Sequence, residues 1–71
     1  MPKLYSSDQI IKILLRHGFE FISQKGSHKK YRKKGDPTLT AIIPADRKQV
    51  PVGTFKSILK QSMLQAEDFE E

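Results

Sequence analysis

A chain of 71 residues makes one domain, Met1–Glu71, with a thin core, because a protein this small buries only about 60% of the surface its unfolded chain exposes. It has no cysteine, which removes disulfides and thiolate-held zinc as reinforcement, and no apolar run long enough for a membrane helix or a secretory signal, so a soluble, cytoplasmic protein is expected. Its thirteen Lys and Arg against eight Asp and Glu give +5, and four of the acids, Glu67, Asp68, Glu70 and Glu71, fall in an acidic tail at about residues 65–71. The body of the chain is therefore strongly basic and should attract polyanions, nucleic acid first and anionic membrane second.

Met1 to Tyr5 is a short lead-in. Ser6 and Gln9 stand at capping-box spacing, and Ile10, Ile11, Ile13, Leu14 and Leu15 recur at helical intervals. The pattern predicts a helix from about Ser7 to His17, closed by Gly18 as a left-handed cap with Phe19 folding back on the last turn. From Phe19 the period becomes two, with Phe19, Phe21 and Ser23 on one side and Glu20, Ile22 and Gln24 on the other. Lys25-Gly26 marks a turn, Ser27–Lys33 is a second strand, and Lys34-Gly35-Asp36-Pro37 is a second turn. Thr38–Ile43 is a third strand, rich in β-branched residues and stopped by Pro44. Residues 45–52 are expected to form a surface loop. A second helix opens at Gly53-Thr54, with Thr54 as N-cap and Phe55, Ile58, Leu59 and Met63 as its apolar stripe. Phe69 is expected to anchor one more helical turn near the end. The fold expected is α+β, in the order α-β-β-β-α: a three-stranded antiparallel meander with two helices on one face and the other face open.

Six cations, Lys25, Lys29, Lys30, Arg32, Lys33 and Lys34, fall within ten residues that hold no acid. That exceeds what Lys protection of a strand edge requires, so the run is a candidate phosphate-binding patch. Such contacts give affinity and salt dependence but not sequence choice. His28 lies inside the run. If Tyr31 faces the helices, alternation sends His28 to the open face with Lys30 and Arg32. An imidazole there can take or give a proton near neutrality, and neighbouring Lys or Arg can stabilise an anionic phosphorus during attack by an RNA 2′-hydroxyl. From the residues alone, however, an isolated histidine in a basic strand is first a phosphate-binding surface group and only second a catalyst. His17 is explained by its place at a helix C-terminus. Tyr31, Phe19, Phe21, Phe55, Ile58 and Leu59 are assigned to the core. No P-loop, GxGxxG or metal-ligand spacing is present, and no metal or cofactor is required.

Two separated segments carry a family likeness. Gln24-Lys25-Gly26-Ser27-His28-Lys29-Lys30-Tyr31 and Pro51-Val52-Gly53-Thr54-Phe55-Lys56-Ser57-Ile58-Leu59-Lys60-Gln61 resemble the signatures of the HicA (YcfA-like) toxin family, and the likeness runs from about Ser6 to Phe69. Many members have a histidine shortly after the proline that ends the third strand, where this chain has Ala45-Asp46-Arg47. The usual glycine at the end of the second helix is also missing here. The resemblance implies a fold similar to double-stranded RNA-binding domains and an mRNA endonuclease (mRNA interferase) neutralised by a HicB antitoxin. It makes His28 the catalytic residue. Lys25, Lys29, Lys30, Arg32 and Lys33 would then hold phosphates, Gly26 would allow close backbone approach, and Ser27 would bind phosphate or shape the turn. The competing expectations are a non-catalytic RNA-binding module of the same fold and a basic protein-interaction domain.

Overall fold

The computed structural model describes residues 4–70, so Met1–Lys3 of the lead-in and Glu71 of the acidic tail lie outside the described residues. The elements are α1 (Ser7–Arg16), β1 (Glu20–Lys25), β2 (His28–Lys33), β3 (Leu39–Pro44) and α2 (Val52–Ser62), followed by a 3-10 turn at Ala66–Phe69. The sheet is antiparallel in the order β1-β2-β3. The α-β-β-β-α arrangement expected from periodicity is the one observed.

The first helix starts and stops where its local chemistry dictates. Ser6 Oγ accepts the Gln9 N–H at 3.1 Å, and Gln9 Oε1 accepts the Ser6 N–H at 2.8 Å, a reciprocal cap. At the other end Gly18 has φ +92°. Its N–H donates to the Leu15 carbonyl at 3.2 Å, and the Phe19 N–H donates to that of Leu14 at 3.0 Å. This pair of reversed bonds forms a Schellman turn, and it drops the Phe19 ring into the core at 2% exposure.

Three expectations are corrected. The second helix begins at Val52 with Pro51 as N-cap, two residues before Thr54. Pro51 sets its own φ at −57°, and its carbonyl accepts the first helical bond from the Phe55 N–H at 2.9 Å, so the helix needs no side-chain cap. Met63 does not extend the apolar stripe. It takes the left-handed C-cap position at φ +59° and is 68% exposed, and Leu64 packs on the core after the reversal. Phe21 is 53% exposed because every residue of β1 is exposed and both helices pack on β3. Its ring still meets Tyr31 edge-on, with centroids 5.6 Å apart.

The core is the sandwich between the helices and one sheet face. Ile10, Ile13 and Leu14 from α1 and Ile58 from α2 close on Tyr31, Ala41 and Ile43. A second aromatic knot joins the two ends of the described chain. Tyr5, Phe55 and Phe69 pack with centroid separations of 5.2, 6.1 and 5.1 Å, and Phe69 is 2% exposed. Two backbone groups on the outer edge of β3 are capped by side chains. Gln61 Oε1 accepts the Ile42 N–H at 2.9 Å, and Ser7 Oγ donates to the Pro44 carbonyl at 2.6 Å while accepting the Arg47 N–H at 3.0 Å.

Burial raises the pKa of the Tyr31 phenol above its ordinary 10.0, and the nearby Asp8 carboxylate raises it further. The folded state thus holds this proton more tightly than the unfolded chain does. The associated stability is intact below about pH 10 and is lost as pH climbs through the folded value. Tyr31→Phe is expected to flatten this alkaline loss. Urea denaturation of both proteins between pH 8 and pH 11 checks it, and identical pH slopes would contradict the assignment.

Candidate nucleic-acid interface

Strand alternation decides which side chains face away from the helices. Tyr31 is buried on the helix side, as are Ala41 and Ile43 across from β2. His28, Lys30 and Arg32 therefore lie on the open face, opposite Pro44, Ile42 and Thr40 respectively. His28 is exposed.

β1 reaches this face through an irregularity. Lys25 pairs with His28 and Ser23 with Lys30, but the register then shifts, and Phe21 pairs with Tyr31 and Glu20 with Arg32. A bulge between Phe21 and Ser23 inserts one extra residue and inverts the alternation beyond it. Phe21 can thus stay on the helix side against Tyr31, while Ser23 and Lys25 turn to the open face. Simple alternation puts Phe21 and Ser23 together, and the bulge separates them.

The open face consists of three rows crossing the sheet, roughly 7 Å apart along the strands. The first holds Lys25, His28 and Pro44; the second Ser23, Lys30 and Ile42; the third Glu20, Arg32 and Thr40. Between the first two rows and the β1–β2 turn lies an open cavity of about 580 Å³ lined by Ser23, Lys25, Gly26, Ser27, His28, Lys30 and Ile42. In the third row the carboxylate of Glu20 sits across from Arg32, so positive charge is concentrated at the His28 end.

Tight turns hold that end in place. Gly26 adopts φ +59° in the two-residue connection, a value that strains any residue with a Cβ, and nothing lies within 4 Å of where a Cβ would project. The Ser27 carbonyl accepts the Ala45 N–H at 2.6 Å, which ties the β1–β2 turn to the chain leaving β3. That exit carries Asp46 at φ +57°.

Of the residues singled out from the sequence, Lys25, Gly26, Ser27, His28 and Lys30 converge on one cavity, and Arg32 lies further along the same face. Lys29 and Lys33 alternate to the other face. Lys29 pairs with Ile43, and the Lys33 stem covers Gly18, with its Cε 3.5 Å from where a Gly18 Cβ would stand. Ser23 and Ile42 were not anticipated. The phase of β3 could have exposed Ile42, since its neighbours are core residues, but no sequence signal announced the bulge that places Ser23. His17 is the C-cap of α1, its N–H bonded to the Ile13 and Leu14 carbonyls at 3.1 Å.

A second cavity, of about 290 Å³, lies between Tyr5, Val50, Phe55 and Leu59 and is chiefly apolar, with Lys56 and Glu70 in its wall. Among the described residues no group of three or more His, Asp or Glu side chains could hold a metal ion. No described helix is long and apolar enough to cross a membrane.

Residues 7–64 match a family model described as the HicA toxin of bacterial toxin-antitoxin, which covers most of the chain. No curated protein matches it.

Proposed function

The chain belongs to the HicA toxin family of bacterial toxin–antitoxin systems, and from that membership together with the make-up of its open face we propose that it is a cytoplasmic endoribonuclease that cleaves mRNA with His28 as the catalytic side chain. The observation that carries this reading is the convergence of one exposed imidazole with Lys25 and Lys30 on a single cavity at the uncovered side of the sheet.

The chemistry follows from those groups. His28 takes the proton from a ribose 2′-hydroxyl. The 2′-oxygen forms a bond to the adjacent phosphorus, the bond from phosphorus to the 5′-oxygen breaks, and that oxygen gains a proton from the imidazolium or from water. The crowded phosphorane carries extra negative charge, which the Lys25 and Lys30 ammonium groups stabilise. Gly26 leaves room for the RNA backbone at the turn, and the Ser27 hydroxyl is a further donor to phosphate. Arg32 extends the phosphate track along the face. Lys29 and Lys33, on the opposite face, contribute to long-range attraction. No step in this sequence calls for a metal. A HicB-type antitoxin is the expected protein partner, and an acidic surface laid over the cations would silence the site.

This route leaves a 2′,3′-cyclic phosphate on one fragment and a 5′-hydroxyl on the other. Purified protein incubated with single-stranded RNA and excess EDTA is expected to yield those ends. Mapping them by phosphatase and kinase labelling checks the prediction. Fragments bearing 5′-phosphates, or cutting abolished by the chelator, would overturn the mechanism. RNA binding without any cutting would leave a recognition module in its place.

A further inference from the structure

Resting on the reading of the open face as an RNA-cleaving site, we propose that the cavity beside His28 is a nucleotide subsite for single-stranded RNA, with Ile42 as the platform under the nucleobase and Ser23 as the group that reads its edge.

The argument begins with size and composition. A cavity of about 580 Å³ exceeds what a phosphate group needs and lies within the range of pockets that hold small organic ligands. Its lining mixes cations with one aliphatic side chain. Lys25 and His28 occupy the first row, while Ile42 lies in the second row beside Lys30 and Ser23. An aliphatic side chain among cations contributes nothing to holding phosphate. It does offer an apolar surface on which the face of a base can rest. The neighbours of Ile42 along the strand, Ala41 and Ile43, are fully buried on the other side, and its N–H is fixed by Gln61 at 2.9 Å. The platform is therefore built on a rigid element.

Ser23 supplies what the cations lack. Lysine contacts to phosphate position RNA but carry no base information. A hydroxyl can donate or accept as its rotor suits, so Ser23 favours a base by whether a polar edge atom falls over its fixed position on the strand, not by the donor or acceptor type of that atom. The β1 bulge turns Ser23 onto this face, directly across from Lys30. Bases of a duplex are stacked inside the helix and cannot reach such a cleft, whereas an unpaired base can be splayed into it.

The test uses the full chain carrying His28→Ala, so that RNA is bound but not cut, with fluorescein-labelled hexamers of riboadenosine, ribocytidine and ribouridine followed by anisotropy at two salt concentrations. The parent is expected to bind the three unequally. Adding Ser23→Ala should compress the spread of affinities by about 3- to 10-fold, the span of one net hydrogen bond, and leave the salt slope unchanged. Adding Lys30→Ala should weaken all three alike and lower the slope by about one. Adding Ile42→Ala should weaken all three without changing the slope. Ser23 is exposed, so its replacement is compatible with folding, and a thermal melt confirms it. Equal affinities in the parent, or an unchanged spread in the Ser23→Ala protein, would overturn the subsite. If the spread responds as described but wild-type protein does not cut RNA, the subsite stands and the nuclease reading falls. If the protein does not bind RNA, both fall.

Discussion

Replacing His28 with alanine is expected to lower RNA cleavage by about 10²- to 10⁴-fold, the usual share of a general acid–base group, while RNA affinity changes by only a few fold. The asymmetry follows from the division of labour on the open face. Binding draws on several cations spread over rows, so removal of one ring leaves most of the electrostatic attraction in place. Proton transfer has no substitute. The only other histidine in the chain is His17, and it caps α1 through its backbone N–H. His17→Ala should accordingly cut RNA at close to the wild-type rate. Expression of each variant in growing cells, paired with cleavage and anisotropy on purified protein, reads both quantities. A His28→Ala protein that still arrests growth and cleaves at the wild-type rate would remove the catalytic assignment.

The second large effect concerns stability. Phe69→Ala is expected to destabilise the fold by about 3–5 kcal/mol, the range for emptying a buried aromatic site. The total stability of a domain of this length is on the order of 4–10 kcal/mol, so the variant should stand near the edge of unfolding at body temperature. Phe69 is almost the last described residue, yet it is 2% exposed and packs against both Tyr5 and, edge-on, Phe55. Its loss opens a cavity in the contact that fastens the beginning of the chain to its end. A fall in the urea midpoint with little change in the denaturant slope would bear this out. A midpoint shift corresponding to less than about 1 kcal/mol would mean that the tail is dispensable, against the packing described.

Much of this architecture is legible in local sequence chemistry. The Ser6–Gln9 cap, the Gly18-Phe19 reversal and the turn at Gly26 each follow from residues that act within four positions of one another, and all three are present. The open-face position of His28 is legible too, because Tyr31 anchors the phase of β2. What failed depends on tertiary context. Phe21 is an apolar residue at a core-phased position, but nothing local says that β1 is an edge strand beyond the reach of both helices. Met63 obeys the helical period until the chain reverses at that residue. Thr54 is a better capping residue than Pro51, yet a proline with preset φ opened the helix first. At the site, the cations are visible as a run and alternation sorts those of β2 into two faces, but the turning of Ser23 and Lys25 onto the open face needs the β1 bulge, which is a property of paired strands rather than of one segment.

Gln61 and Ser7 stopper one margin of the sheet, using an amide and a hydroxyl where another strand would otherwise attach. Polymerisation by strand addition requires two accepting margins per molecule, one on each flank, so that every newcomer presents a fresh docking line. Here the Ile42 N–H and the Pro44 carbonyl on the β3 flank are already taken by the protein's own side chains, so addition there is disfavoured relative to the β1 flank. Growth through the sheet is thereby discouraged on one flank, where Pro44 at the end of β3 adds to the obstruction, and a small, sparsely cored protein gains protection from fibril formation.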